Sequence, residues 1–319
     1  MIRRLSQAFI LSVGLGGPAL VPLSTVAAAE KPAPTHADVP YGDHERQKVD
    51  VYPAKSDKPT PVIVYIHGGG WMNGDKGSVH GMVDVAKAHE AGVSVVAVNY
   101  RLIPQAEAAG IDPPVLGPLG DAARAIQFVR SKAGQWNLDP ARIGACGGSA
   151  GACTSLWLAM HDDMAEPEST DPVARQSTRL TCAAVSGAQT SLDPVALRQW
   201  MPNMRYGGHA FGFKGAGGQR DSAFQQFHDS RDEIWPEIRK YSPIEQASAD
   251  DPPIYLVYGD KEKVVKGSEP KDPTHSALLG QMLVERLRPL GVDVILDYPG
   301  EPDPRYASIT EYLIDHLRR

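Results

Sequence analysis

Short apolar runs alternate with amphipathic segments along most of this chain of 319 residues. The apolar runs predict buried strands at 61–67, 93–99, 142–146, 180–185, 253–258 and 292–298. Apolar residues at helical spacing predict helices at 79–91, 121–133, 152–161, 275–290 and 306–317. Because strands that alternate with helices form parallel sheets, the pattern predicts an α/β fold. Residues 47–52 alternate apolar and polar positions, which predicts an edge strand.

The alternation stops over residues 187–251, which are rich in aromatic side chains and glycine and show no strand pattern. An insert of this kind has two interpretations. It forms either a cap over a binding site, with residues 206–211 lining part of the pocket, or a helical cluster that only packs on the sheet.

The beginning of the chain has a different composition from the rest. Two arginines precede an apolar stretch at 8–23, and the three alanines at 27–29 offer a small-residue cleavage site. That order is typical of a secretory signal peptide, and the stretch is too short and too interrupted by glycine and proline for a transmembrane helix. The sequence therefore predicts a signal peptide at 1–29, a domain at 30–319, and a secreted or periplasmic protein.

Composition and charge exclude several classes of function. The formal net charge is −6, so the chain offers no basic field for nucleic acid or anionic lipid, and neither partner is expected. The histidines lack the spacing of a metal site, and no metal or cofactor is expected. Cys146, Cys153 and Cys182 do not make a disulfide framework, although one pair could join in an oxidising compartment.

The candidate chemistry starts at residues 147–151, which read Gly-Gly-Ser-Ala-Gly between a predicted strand and a predicted helix. This is the context of a nucleophile elbow, a sharp turn that exposes a serine hydroxyl and needs small neighbours. Ser149 is therefore the candidate nucleophile. Cys146 and Cys153 are less favoured in that role, because the turn presents the serine instead.

A second glycine-rich motif supports the first. Residues 67–71 read His-Gly-Gly-Gly-Trp and follow another predicted strand. Ester hydrolysis needs backbone N–H groups directed at the oxygen that becomes negative, and glycines leave those groups accessible. The glycine run therefore predicts an oxyanion hole.

Taken together, these motifs resemble those of α/β-hydrolase-fold esterases and lipases of the hormone-sensitive-lipase and acetyl-xylan or feruloyl esterase type. The residues that carry the resemblance are 67–71, Asn-Tyr-Arg-Leu at 99–102, Leu-Asp-Pro-Ala-Arg-Ile at 138–143, and 147–151. The resemblance extends over about residues 45 to 300. It implies an α/β-hydrolase fold, with a mostly parallel central sheet, helices on both faces and a cap insert. It also implies an oxyanion hole formed by the N–H groups of Gly69, Gly70 and Ala150.

The resemblance is weaker for the acid and the base that a serine nucleophile needs. It places the acid at Glu262, and Asp260 and Asp272 remain alternatives. The family histidine belongs in the loop after the last strand, but Asp303 stands there. An aspartate is a poor base for a serine proton near neutral pH.

Two histidines elsewhere are candidate bases. His275 begins the helix after the acid's loop and is preferred, and His209 in the insert is second. The sequence thus predicts a secreted serine ester hydrolase that uses Ser149, Glu262 and His275 on small acyl esters, including acetyl or feruloyl esters of polysaccharides. The alternative is a hydrolase-fold binding protein with impaired catalysis because of Asp303. A peptidase of the same fold is less favoured, because no propeller or amine-anchoring motif is present.

Overall fold

An eight-stranded sheet forms the centre of residues 31–319, the part of the chain that the computed structural model describes. The predicted signal peptide lies outside these residues. The strands are β1 His36–Pro40, β2 Lys48–Tyr52, β3 Thr60–Ile66, β4 Ser94–Val98, β5 Leu138–Gly148, β6 Cys182–Ser186, β7 Ile254–Val257 and β8 Val294–Asp297. They lie in the order β1-β2-β4-β3-β5-β6-β7-β8. β2 is antiparallel to both of its neighbours and the other pairs are parallel, so the prediction of a mostly parallel sheet is confirmed.

Helices connect and flank the strands. The α-helices within 31–319 are α1 Val85–Glu90, α2 Ile103–Ala108, α3 Leu116–Ser131, α4 Ala133–Trp136, α5 Ala150–Met160, α6 Pro194–Trp200, α7 Arg220–Asp229, α8 Trp235–Tyr241, α9 Pro243–Gln246, α10 Ala277–Leu287 and α11 Ile309–Arg318. Short 3₁₀ helices occupy Lys76–Gly81, Gly208–Phe211, Ala216–Gly218, Pro273–His275 and Arg288–Leu290. The single helix predicted at 79–91 is therefore wrong. Asp84 separates the two pieces by capping α1, because its carboxylate accepts from the N–H of Lys87 at 3.0 Å.

The sheet is buried on both faces, as the uninterrupted apolar runs predict for parallel strands. In β3, Val62, Val64 and Ile66 pack into the layer that contains α3, α5 and α10. Ile63 and Tyr65 point the opposite way, into the layer with α1 and α11. This alternation puts β3 at the centre of both cores.

The predicted position of residues 47–52 at the edge of the sheet is wrong. β2 pairs with β4 on one side and with β1 on the other, so β1 is the edge strand. β1 lies in a proline-rich segment that gives no strand signal, and it ends at Pro40. An edge strand tolerates proline because one side of its backbone needs no ladder hydrogen bonds.

The insert at 187–251 contains α6 to α9 and two of the 3₁₀ helices, without a strand. Three of its aromatic side chains, Tyr206, Phe213 and Phe224, line the same cavity as Ser149. The insert therefore has the position that the cap interpretation requires.

Candidate active site

Ser149 sits on the turn between β5, which ends at Gly148, and α5, which begins at Ala150. Its backbone has φ 53° and ψ −121°, a strained conformation for a residue with a side chain. A Cβ on Gly147 would lie 2.4 Å from the carbonyl oxygen of Ile66, and one on Gly151 would lie 2.1 Å from the same oxygen. Only glycine fits at these two positions, which explains the spacing of the motif.

The candidate oxyanion loop follows β3 and lies directly beside this turn. A Cβ on Gly68 would meet the carbonyl oxygen of Gly148 at 2.6 Å. Gly69 and Gly70 have φ of +104° and +63°, and their N–H groups have no hydrogen-bond partner within residues 31–319. Ala150 is the first residue of α5, so its N–H belongs to the turn that a helix leaves unpaired. The structure thus brings the three predicted oxyanion residues to one end of the sheet.

A side-chain hydrogen bond joins the two glycine-rich motifs. The indole Nε1 of Trp71 donates to the hydroxyl of Thr154 in α5 at 3.0 Å, and Trp71 is fully buried. This bond accounts for a tryptophan at the end of the His-Gly-Gly-Gly run.

His67, the first residue of that run, has a structural position. Its ring stacks on Tyr100 at 4.2 Å, and the Tyr100 hydroxyl donates to the His67 carbonyl at 2.6 Å. Burial, together with the nearby guanidinium of Arg46, lowers the pKa of His67 to about 4. The imidazole is therefore neutral at pH 7, and it is fully enclosed beneath the loop.

Of the two candidate bases, His275 is the one that contacts Ser149. The Ser149 hydroxyl lies 2.9 Å from Nε2 of His275, and Nδ1 of the same ring lies 2.8 Å from a carboxylate oxygen of Asp272. A carboxylate only accepts, so Nδ1 carries the proton and Nε2 presents its lone pair to the serine. This is the hydrogen-bond order of a Ser-His-Asp triad.

Neighbouring residues hold the His275 segment in place. A Cβ on Gly187 would lie 3.2 Å from the imidazole, so the backbone there packs directly on the ring. Gln189 is buried and donates to the carbonyl of Thr274 at 2.7 Å. The carboxylate of Asp260 accepts from the N–H of Ala277 at 2.6 Å and so fixes the start of α10. None of these supporting roles was predicted from the sequence.

The prediction of Glu262 as the acid does not agree with this geometry. Glu262 is exposed and makes no side-chain hydrogen bond within residues 31–319. The loop after β7 is long enough to place another carboxylate ten residues later, at Asp272, which directly precedes the 3₁₀ turn that ends in His275. The carboxylate of Asp260, the other alternative, accepts from the N–H at the start of α10 instead.

Asp303, at the position where the resemblance expects histidine, takes part in a structural turn. Its carboxylate accepts from the guanidinium of Arg305, which lowers the pKa of Asp303. Its N–H donates to Asp297 at 2.9 Å. Ser149 hydrogen-bonds to His275 instead, and that histidine comes from the loop after β7.

The second candidate base, His209, does not reach Ser149 either. Its Nε2 lies 2.9 Å from the carbonyl oxygen of Gly70. Because a carbonyl only accepts, Nε2 carries a proton and is not available as a base.

Ser149 and His275 open into a cavity of about 1140 Å³. The oxyanion loop contributes Gly69 and Gly70, and the insert contributes Tyr206, His209, Phe213 and Phe224 among others. Such a volume exceeds that of most small-molecule sites, so it accommodates more than a short acyl group.

The cysteines and the other metal-ligating residue types do not form a second site in the part of the chain that the structure describes. Cys146, Cys153 and Cys182 are free and buried, and burial raises the pKa of each thiol. Within residues 31–319, no three His, Cys, Asp or Glu side chains are grouped to hold a metal ion. In the same range, no helix combines the length and the hydropathy needed to cross a membrane.

Comparison with known proteins places this geometry in a family. Residues 49–275 match the model of the family described as BD-FAE. A versiconal hemiacetal acetate esterase of Dothistroma septosporum is 34% identical over 129 residues, which are 40% of this chain and 37% of that protein. The carboxylesterase NlhH of Mycobacterium tuberculosis is 39% identical over 102 residues, 31% of this chain and 28% of the relative. The chain thus covers little more than a third, or less, of these curated relatives.

Solved structures match nearly the whole chain. An acetyl ester-xyloside bifunctional hydrolase from Caldicellulosiruptor lactoaceticus aligns with a TM-score of 0.59 at 22% identity, covering 90% of this chain and 94% of that one. A truncated carbohydrate esterase from gut microbiota aligns with a TM-score of 0.64 at 18% identity, covering 92% and 99%. At these identities the likeness establishes the fold, and the predicted α/β-hydrolase architecture is confirmed.

Proposed function

The chain belongs to the BD-FAE family, and we propose that it is a serine carboxylic-ester hydrolase that acts on small acyl esters through an acyl-enzyme. One observation carries the proposal. Asp272, His275 and Ser149 form a continuous hydrogen-bonded chain of 2.8 and 2.9 Å. It ends beside the N–H groups of Gly69 and Gly70, which have no partner within residues 31–319.

Acylation follows from that arrangement. The Ser149 oxygen attacks the ester carbonyl carbon while its proton passes to Nε2 of His275. The carbonyl oxygen becomes negative and accepts from the N–H groups of Gly69, Gly70 and Ala150. The C–O bond to the alcohol then breaks, the alcohol oxygen takes the proton from His275, and the acyl group stays on the serine.

Deacylation repeats these steps with water. Water gives a proton to His275 as its oxygen attacks the acyl carbon, and the serine oxygen leaves with that proton. The acid is released and the free enzyme returns. Throughout both halves the carboxylate of Asp272 accepts from Nδ1–H, which orients the ring and stabilises its cationic form.

A binding protein without chemistry is the rival that Asp303 suggested. That rival depends on the absence of a base near Ser149. Since His275 makes the contact with Ser149, the geometry favours turnover over binding alone.

We propose acetyl or feruloyl esters on polysaccharide as the substrates. The volume of the cavity supports a substrate with a bulky alcohol group, because an acetyl group fills only a small part of about 1140 Å³. Its partly exposed aromatic side chains Tyr206 and Phe213 suit the faces of sugar rings or of an aromatic acyl group. We also propose export to the periplasm or the medium, supported by the composition of residues 1–29.

Turnover of p-nitrophenyl acetate by the full chain, beside Ser149→Ala, tests the proposed function. We expect Ser149→Ala to lower kcat/KM by at least about 10³-fold. Ser155→Ala is the matched control, since Ser155 lies in the same helix and donates to the carbonyl of Gly151 at 2.8 Å, away from the triad. Equal rates for wild type and Ser149→Ala, or a wild-type rate at background, would contradict the proposal.

A further inference from the structure

The oxyanion loop contains two glycines whose backbone conformation is not restricted by a side chain. Gly69 and Gly70 are consecutive, both have positive φ, and neither has a side chain to restrict it. The carbonyl of Gly69 is held locally, by the N–H groups of Met72 and Asn73 at 3.0 and 3.2 Å. The carbonyl of Gly70 has no such local partner within residues 31–319.

The insert supplies that partner. Nε2 of His209 donates to the Gly70 carbonyl at 2.9 Å across 139 residues of chain. In the described part of the chain, no other group donates to this oxygen. His209 therefore fixes the Gly70–Trp71 peptide, because it binds the carbonyl oxygen of that peptide.

The imidazole of His209 is itself fixed. It packs edge-on against Tyr206 at 5.0 Å and lies 6.1 Å from the buried ring of Trp71. Burial lowers the pKa of His209, as does the guanidinium of Arg220, so the ring is neutral near pH 7 and has one N–H. That N–H points at the Gly70 carbonyl.

We infer that His209 is a positioning residue that supports the oxyanion loop from the insert, because its Nε2–H holds the Gly70–Trp71 peptide, which directly follows the peptide with the Gly70 N–H. The inference rests on the proposed ester hydrolysis, because only an oxyanion makes the orientation of this loop matter. It assigns the insert a part in the chemical step, beyond forming a wall of the cavity.

The position of the Gly70 N–H matters because the stabilisation of an oxyanion depends steeply on the distance to its donors. Donors must lie within hydrogen-bond distance of the place where the charge develops, and a displacement of about 1 Å costs on the order of 10²-fold in rate. Without the His209 bond, the Gly70–Trp71 peptide is free to rotate. Met72 and Asn73, whose N–H groups hold the Gly69–Gly70 peptide, follow directly after it, so the Gly70 N–H loses part of its support. Substrate binding uses the rest of the cavity and is less affected.

The test compares His209→Phe, which keeps a ring against Tyr206 and Trp71 but has no donor, with His209→Gln, whose amide restores one. His89→Ala is the matched control, since Nε2 of His89 also contacts a carbonyl, that of Tyr52 at 3.0 Å, outside the cavity. The measurements are kcat, KM and the pH profile of kcat/KM with p-nitrophenyl acetate, and the affinity for phenylboronic acid. That acid forms a tetrahedral anion on a catalytic serine and so reports on oxyanion binding without turnover.

We expect His209→Phe to lower kcat by about 10- to 100-fold with KM changed by less than about 3-fold. Phenylboronic acid should bind more weakly by a similar factor, and the midpoints of the pH profile should not move. His209→Gln should recover most of kcat, and His89→Ala should match wild type.

Three results would overturn the inference. One is an unchanged kcat in His209→Phe, and another is a loss in His209→Gln as large as in His209→Phe. The third is the disappearance of the acidic limb of the pH profile, which would make His209 the base, because a base loses activity when it is protonated. Each of these leaves a Ser149-dependent wild-type rate intact, whereas failure of the proposed function removes that rate itself. Should His209→Phe not fold, as judged by circular dichroism, His209→Leu carries the same expectation.

Discussion

Ser149 and His275 are joined by a hydrogen bond of 2.9 Å although 126 residues separate them in the chain. His275 reaches the serine from the loop that also contains its hydrogen-bond partner Asp272, three residues earlier. One turn therefore carries both partners of the nucleophile. The loop after β8, where the resemblance expects a histidine, is left with a structural role around Asp303.

Replacement of the acid should separate the two carboxylates considered for that role. We expect Asp272→Asn to lower kcat by about 10²- to 10⁴-fold, because the amide favours the wrong tautomer of His275. Glu262→Gln is the matched control in the same loop and should stay near the wild-type rate, since Glu262 contacts no part of the triad. Steady-state kinetics with p-nitrophenyl acetate decides the matter. A larger loss in Glu262→Gln than in Asp272→Asn would refute the assignment.

Gly151, two residues after the nucleophile, should tolerate no side chain. A Cβ there would lie 2.1 and 2.6 Å from the backbone oxygens of Ile66 and His67, so Gly151→Ala should lower the free energy of unfolding by about 2 kcal/mol or more. Gly134→Ala is the matched comparison. Gly134 lies in α4 with nothing within 4 Å of a Cβ, and alanine there should raise stability by about 0.5–1 kcal/mol. Urea denaturation of both variants measures the difference, and equal destabilisation would argue against the close approach of α5 to the end of β3.

Stability should fall with acid partly through His67. Its pKa is lowered from 6.5 to about 4 in the folded protein. Between pH 6.5 and pH 4, His67 therefore binds a proton in the unfolded chain but not in the folded chain. The free energy of unfolding therefore decreases as pH falls through that window, and this one group contributes about 2 kcal/mol between pH 7 and pH 5.

The check is a comparison of wild type with His67→Asn in urea at both pH values. The variant starts from a lower stability, since the stack on Tyr100 is lost, but it should lose about 2 kcal/mol less on acidification. If both proteins lose the same amount, the pKa of His67 is not lowered by burial.

The three cysteine thiols should not react with thiol reagents in the folded protein. Cys146, Cys153 and Cys182 are free and fully buried, and burial raises the pKa of Cys182 to about 12. We expect a chromogenic disulfide reagent to modify none of them at pH 8 in native buffer and all three in concentrated guanidinium chloride. Fewer than three reactive thiols after denaturation would indicate that a pair is oxidised.

The features that were predictable from the sequence are those that local chemistry dictates. The elbow around Ser149 and the glycines at Gly69 and Gly70 are readable because each turn needs small residues at fixed offsets from a strand. The six strands β3 to β8 follow from the hydrophobic pattern, since a buried parallel strand has an uninterrupted apolar run.

The features that were not predictable depend on contacts between distant segments. Asp272 lies in an enlarged loop, and only the folded loop shows that it, rather than Glu262, meets His275. The bond from His209 to Gly70 joins the insert to a turn 139 residues away, and no local pattern encodes it. β1 was missed because its segment is proline-rich, and its strand conformation depends on pairing with β2.

The most direct test of His275 as the base is kcat/KM of His275→Ala with p-nitrophenyl acetate, measured beside wild type under conditions where both are folded. If His275 accepts the proton of Ser149, the variant falls by about 10³-fold or more. A variant that keeps its rate within about tenfold of wild type would contradict this assignment, because the proton of Ser149 would then pass to some other group.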